Sequence, residues 1–294
     1  MGRYGHIFAE SSASYFEYLS SQILLRGHGA WYENYFYLLI ATSLLAWAIE
    51  IVFPWRRQQS VFRKDFWLDG FYMFFNFFLF SLVGFYGISN VASAMFSDLL
   101  GCFGRTNSTV LEIKSWPACT QILTLFVLTD FIHWNVHRLL HRIPWLWRFH
   151  KVHHSVKEMG FAAHLRFHWM ESVIYKTAQF VPLSLIGFGI SDFFIVHAIA
   201  LLIGHLNHTN VSWDYGPGRW IVNNPAMHIW HHAKHWPEEH RYGMNFGLSL
   251  SLWDYVFRTV YVPTSGRDVE LGFADDEGYP QTFLSQAIHP FLRR

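Results

Sequence analysis

Long apolar stretches alternate with short charged ones along this 294-residue chain. The first runs from Asn34 to Ala48 and, past Glu50, to Phe53, where Pro54 ends it. The second lies between Asp69 and Asp98, and the third reads ACTQILTLFVLTDFIHW from Ala118 to Trp134. VIYKTAQFVPLSLIGFGI and FFIVHAIALLIGHLNH form a close pair within residues 173–209, with Gly187, Gly189 and Ser191 at its tip. Each approaches the ~20 apolar residues that a helix needs to cross a bilayer. The pattern therefore predicts an all-α fold, a multi-pass transmembrane bundle of about four to five spans. The last pair reads either as two full crossings or as a re-entrant hairpin. Residues 1–33 read as an interfacial segment, 34–262 as the membrane domain and 263–294 as a polar tail packed beneath it. The N-terminal MGRYGHIFAESSASYFEYLSS lacks the apolar core of a cleavable signal, so the first span is expected to direct its own insertion.

Charge orients the bundle. WRRQQSVFRK, after the first span, carries Arg56, Arg57, Arg63 and Lys64, and basic loops stay in the cytoplasm. Counting spans from there places residues 137–172 and 210–294 on that same side, whichever form the hairpin takes. The expected location is an integral membrane protein with a cytoplasm-facing site, in a bacterial inner membrane or the endoplasmic reticulum. Only 15% of residues are charged and 52% are hydrophobic, too little charge to cover a soluble domain of this size. A net charge of +1 without a basic run leaves no footprint for nucleic acid. Trp145, Trp147, Phe149 and Trp169, set among Arg142, Arg148, Lys151 and Arg166, read as anchors in the headgroup layer. Two cysteines, Cys102 and Cys119, exclude a disulfide scaffold and a thiolate zinc site; a single pair or two independent small residues both remain open.

Nineteen histidines nearly match the twenty-two lysines and arginines, and they are not scattered. Asp130, His133, His137 and His141 recur at the spacing of one helical face, and Pro144 then interrupts that helix. His150, His153 and His154 repeat the spacing, as do His228, His231, His232 and His235. So many imidazoles on shared faces would repel one another once protonated, so a metal is expected to gather their lone pairs. Asp130 is expected to fix the tautomer of His133 or His137. A lone intramembrane histidine such as His197 reads as a satisfied core residue. Eight or more nitrogen donors suggest two ions, and imidazole by itself suits zinc, copper, iron and nickel alike.

The runs Asp130-Phe131, His137-Arg138-x-x-His141, His150-x-x-His153-His154 and His228-x-x-His231-His232 resemble the fatty acid hydroxylase/sterol desaturase superfamily. So do His208-Thr209-Asn210, Asn245-Phe246-Gly247 and Trp253-Asp254-x-x-Phe257-x-Thr259. The resemblance covers about half the chain, roughly residues 120 to 262. It implies two irons in a histidine cage on the cytoplasmic face, with O₂ as co-substrate and a lipid as target. It implies His137, His141, His150, His153, His154, His228, His231 and His232 as ligands, with His208 as an additional one. His164, His205, His235 and His240 are further candidates, either as ligands or as groups that hydrogen-bond to ligands; Asp130, His133, Asn245 and Asp254 are placed with them. His168 matches the histidine of an Arg-x-His-Pro-x-Glu motif, with Trp169 in place of the proline, and Ile229 stands where many members carry arginine. His208 to Val211 is similar to alkylglycerol monooxygenase-like members, and Phe161-Ala-Ala-His164-x-x-x-His168 to sterol C5 desaturases.

Such chemistry consumes electrons, yet the chain has no G-x-G-x-x-G fingerprint and no haem-domain His-Pro-Gly-Gly. A separate donor, such as a small cytochrome, ferredoxin or reductase, is expected. Hydroxylation and desaturation depend on where the substrate sits relative to the metals, which ligand identity does not decide. Tyr215 to Trp220 reads either as part of a lid or as a plain turn. A metal transporter would need ligands strung through the spans, and a metal-stabilised scaffold would need neither O₂ nor a donor; both stay as alternatives to the lipid oxygenase.

Overall fold

The computed structural model describes residues 2–26, 34–76, 87, 89–103, 113–188 and 192–292. Eleven α-helices carry these residues, joined by short 3₁₀ turns. The described residues hold no strand, only isolated bridges Val222–Leu250 and Ala233–Leu271. Each expected apolar stretch contains helix. The first is α2 (Tyr35–Val52), capped by the Asn34 side chain, which accepts from Phe36 N at 3.1 Å and Tyr37 N at 3.3 Å. α1 (Arg3–Ile23) precedes it. The second stretch holds α3 (Phe66–Phe74) and α4 (Ser89–Cys102), with residues 77–86 and 88 outside the described set. The third is α5 (Ala118–Arg142), and the close pair is α7 (Trp169–Ile186) and α8 (Phe193–His208).

Among the described residues no helix is long and apolar enough to cross a membrane. The reason is visible in α5 and α8. The last part of α5 gives its apolar period over to Asp130, His133, Asn135, His137 and His141. With 16 residues, α8 is roughly 24 Å long at ~1.5 Å per residue, short of a ~30 Å hydrocarbon layer. The sequence pattern thus locates the helices, while full crossing is not a property of any one of them.

The turn at Pro144 sets up the site. Ile143 is extended, at ψ 114°, as a residue before proline prefers, and Pro144 opens α6 (Pro144–His154) where its missing N–H costs nothing. Two histidine-bearing helices therefore meet at a corner and face each other. The 3₁₀ turn Phe161–Leu165 then packs on α8 and α2 through Leu39, Leu165 and Leu201. Glu50, buried near the end of α2, accepts the Phe161 N–H at 2.9 Å.

Two buried carboxylates tie the remaining loop to α5. Asp130 accepts from Ser249 N at 3.0 Å, Leu250 N at 3.2 Å and Trp253 Nε1 at 2.9 Å. Asp254, in the short α10 (Leu252–Val256), accepts from Phe246 N at 2.9 Å, Gly247 N at 2.8 Å, Trp134 Nε1 at 3.0 Å and Thr259 Oγ1 at 2.6 Å. On the other side Arg166, fully buried, pairs with Asp65 and Asp69 and donates to Ser155 Oγ at 2.9 Å, and Arg63 joins Asp69. Residues 263–292 lie against this body: Leu271 enters the cluster of Val156, Met159, Ala163 and Ile229. Farther on, Gln286 in α11 (Phe283–Ile288) accepts the Tyr72 hydroxyl at 2.8 Å. Cys102 and Cys119 are both free and exposed.

Asp254→Ala strands buried donors on both sides of the loop. It is expected to cost about 3 kcal/mol or more of stability, read as a lowered unfolding midpoint, since each orphaned donor costs about 1–3 kcal/mol. A variant as stable as the parent would show that this loop is held by packing alone.

Candidate metal centre

Nine imidazoles meet at one end of the bundle. α5 brings His137 and His141, α6 brings His150, His153 and His154, and α8 ends on His208. α9 (Pro225–His231) and its cap supply His228, His231 and His232, started by Asn224, whose side chain accepts Met227 N at 3.0 Å. All nine are buried. They divide into two groups: His137, His141, His150, His154 and His231 in one, and His153, His208, His228 and His232 in the other. Within each group the nitrogens that face inward lie within 4.8 Å of one another.

The hydrogen bonds decide which nitrogen carries the proton. Nδ1 of His137 donates to the Phe246 carbonyl at 2.8 Å, His231 to Met244 at 2.8 Å, His153 to Arg166 at 3.1 Å and His208 to Gly204 at 2.7 Å. His150 Nδ1 donates to the buried Glu171 carboxylate at 2.7 Å. With the proton on Nδ1, each Nε2 presents a lone pair inward. Yet Nε2 of His137 and of His150 are 3.0 Å apart, and those of His208 and His153 are 3.4 Å apart. Two lone pairs at that distance repel unless a cation lies between them. Two nitrogens bound to one ion at ~2.1 Å sit roughly 3.0 Å apart at right angles and roughly 3.4 Å apart at the tetrahedral angle. The other Nε2 contacts, His154 to His141 and His231, and His228 to His208 and His232, fall at 3.0–3.2 Å. The donor set fits two metal ions.

Electrostatics agree. Burial, reinforced by the neighbouring imidazoles, pushes the rings of His141, His154, His231 and His232 well below the ordinary histidine range. Burial alone lowers His150 to about 3. Each stays neutral, as a metal ligand must. Trp147 and Trp236 cover the cage on one side, with ring centroids 4.9 and 5.4 Å from His141.

The remaining candidates lie around the cage. The oxygens of Asp130 are taken by the loop at Ser249–Trp253, so Asp130 fixes neither His133 nor His137; the backbone carbonyl of Phe246 holds His137 instead. Asp254 likewise positions the loop. Asn245, at φ 52°, accepts Tyr261 N and donates to the Met227 and Tyr261 carbonyls, closing the same loop over α9. His133 stacks on Tyr175 with centroids 4.2 Å apart, and His164 and His205 face each other at 3.4 Å between Nδ1 atoms. A Cβ on Gly204 would lie 2.2 Å from His164 Nε2, so only glycine lets that ring rest on α8. His168 uses both nitrogens elsewhere, donating to the Ala287 carbonyl and accepting Met170 N, which keeps it off the cage. Trp169, where the motif has proline, opens α7, a position that accepts either residue. His235 is exposed beside Glu270: α9 stops before it, so the helical spacing from His228 does not continue. His240 packs on Tyr261, away from the cage. Residues 216–220 form a 3₁₀ turn. Glu171 is the residue that spacing missed, because its partner His150 sits on another helix.

His153→Ala and His231→Ala, one from each group, are expected to lower bound metal in the purified protein. His235→Ala should leave it at the parent level, measured by inductively coupled plasma mass spectrometry. The pH dependence also has a fixed sign. The unfolded chain protonates its histidines near pH ~6.5, the folded cage only far below, so the unfolded state binds more protons as pH falls. Stability should hold above pH ~7 and drop steadily below ~6.5, read from denaturant midpoints across that range. A flat profile would mean the rings are not held neutral.

Residues 122–259 match the family model described as fatty acid hydroxylase. The chain is 32% identical over 179 residues to ornithine lipid hydroxylase OlsE of Rhizobium tropici, covering 61% of this chain and 53% of that protein. It is 30% identical over 165 residues to the alkylglycerol monooxygenase of Xenopus tropicalis, covering 53% of this chain and 34% of the relative. Fatty acid hydroxylase vlmA of Lecanicillium sp is 24% identical over 169 residues, covering 50% of this chain and 44% of that protein. The chain thus spans about half or less of the length of these relatives. No solved structure matches it significantly. The matched segment is the one that folds the cage, from α5 through the Asp254 loop, and over residues 122–259 the chain is similar to the fatty acid hydroxylase family.

Proposed function

We propose that this chain is a membrane-bound lipid oxygenase that holds two irons and hydroxylates or desaturates its substrate with O₂. The observation that carries the reading is the inward convergence of Nε2 lone pairs in two adjoining groups, within a domain whose relatives are named lipid hydroxylases and monooxygenases. His137, His141, His150, His154 and His231 would hold one ion, and His153, His208, His228 and His232 the other. When bound there, a pair of ferrous ions would supply the two electrons that convert O₂ into an oxidant able to attack an unactivated C–H bond.

The chain's own groups set the conditions for that chemistry. Backbone carbonyls and Glu171 hold the Nδ1 protons of His137, His150, His153, His208 and His231, so the inward nitrogens of these five keep their lone pairs free. Trp147, Trp236 and Phe246 keep water from the cage on their side. Hydroxylation consumes one O₂, two electrons and two protons and yields the alcohol and water. The electrons are drawn from a separate donor protein, a small cytochrome, ferredoxin or reductase.

The membrane setting rests on the helix exteriors. Leu44, Leu45, Trp67, Phe74, Leu99, Leu123 and Ile195 are exposed along α2, α3, α4, α5 and α8, apolar side chains that lipid would cover in this reading. In this reading residues 34–262 form the membrane-embedded oxygenase domain, 1–33 lie at the interface, and the cage faces the cytoplasm above residues 263–294.

The test compares lipid extracts of cells with and without the protein, grown under ¹⁸O₂. The expected result is a lipid that gains one labelled oxygen, or loses two hydrogens, only when the protein is present. Tightly bound zinc with no reductant-dependent oxygen uptake by the purified protein would sink the oxygenase reading.

A further inference from the structure

The run Arg166-Phe167-His168-Trp169-Met170-Glu171 leads from the 3₁₀ turn at Phe161–Leu165 into α7, and it holds one ring in each half of the cage. The Arg166 carbonyl takes the Nδ1 proton of His153, and the Glu171 carboxylate takes that of His150. The run is kept in place locally. His168 stands just before α7, and its Nδ1 accepts Met170 N at 3.1 Å. Glu171, three residues on, reaches back with Oε1 to His168 N at 3.1 Å. This is a reciprocal helix cap, with histidine where serine or threonine is usual. One oxygen of Glu171 is thereby fixed on the start of the helix, and the other, Oε2, lies 2.7 Å from His150 Nδ1. Glu171 is 1% exposed, and among the described residues no lysine or arginine forms an ion pair with it.

The two halves of the cage otherwise match ring for ring. In the five-histidine group the carbonyls of Phe246 and Met244 hold His137 and His231, while Nδ1 of His141 and of His154 has no hydrogen-bond partner among the described residues. In the four-histidine group the carbonyls of Arg166 and Gly204 hold His153 and His208, while Nδ1 of His228 and of His232 has none among them. His150, with Glu171 behind it, is the difference. Its Nε2 is 3.0 Å from that of His137, and its ring lies 4.8 Å from that of His141 and 4.9 Å from that of His154. It therefore faces the first group from within. A carboxylate accepts a hydrogen bond more strongly than a carbonyl does, and it makes the imidazole it holds a better donor to a metal.

We infer that Glu171 is a positioning residue of the metal centre: through His150 it makes the five-histidine group the tighter of two unequal sites, the one that takes the first ion and releases it last. The inference rests on the two-ion reading of the cage and not on the oxygen chemistry. Glu171 would touch neither ion; it fixes the direction and the donor strength of one ring. A partner in this position is worth about 10–100-fold in metal affinity. The held rings of the four-histidine group are backed by neutral carbonyls alone.

The experiment equilibrates the purified full-length protein in detergent with cobalt(II), its free concentration set by a chelator. Bound metal is read by mass spectrometry and site geometry by the visible absorption of cobalt. Two steps are expected, the first about tenfold or more tighter than the second. Glu171→Gln should weaken the first step about 10–100-fold, shift its absorption band and leave the second step in place; Glu171→Asp should recover part of the loss. His150→Ala should weaken the same step, and adding Glu171→Gln to it should cost nothing more, since the carboxylate acts through that ring. His231→Ala should weaken the first step and His228→Ala the second. Two equal steps, a Glu171→Gln variant in which both steps weaken alike, or a first step that follows His228 rather than His231 would each overturn the inference. If Glu171→Gln does not fold, the order of filling in the His231→Ala and His228→Ala variants decides. Folded protein that binds no cobalt would overturn this inference together with the two-ion reading. Two ordered, Glu171-dependent steps without oxygen uptake would remove the oxygenase reading and support this one.

Discussion

Nine neutral imidazoles with their lone pairs turned toward one another are the constraint on which the rest of this structure depends. Such an arrangement repels itself in the absence of a cation, and it is favoured where outward nitrogens are committed elsewhere. Five are committed here, four of them to backbone carbonyls and one to Glu171. The backbone of the loop at Met244–Phe246 thus matters as much as the histidines, because its carbonyls fix two of the rings.

That loop has no regular secondary structure of its own to hold it. Asp130 and Asp254 do so by accepting seven hydrogen bonds between them, and each is buried where a carboxylate is tolerated only when its oxygens are satisfied. On the opposite wall Arg166 accepts His153 on its carbonyl and binds Asp65 and Asp69 through its guanidinium. A charge network and a cage histidine therefore meet at one residue.

Much of this was legible in the residues alone. The apolar stretches marked α2, α5, α7 and α8, and the spacing of His137, His141, His150, His153 and His154 identified donors on shared helical faces, because helical periodicity is a local property. Local spacing failed where the partner was distant. It paired Asp130 with its helical neighbours, although that carboxylate is taken by a loop about 120 residues away (119 to 123 in sequence separation). It extended the α9 series to His235, beyond the point where the helix ends. It passed over Glu171 as a partner of His150. The amino-acid order determined which groups are available and on which helical faces they stand. Only the packing of α5, α6, α8 and α9 against one another decided which nitrogens meet, because a hydrogen bond or a ligand sphere depends on distances of a few ångströms between segments that the chain itself keeps far apart.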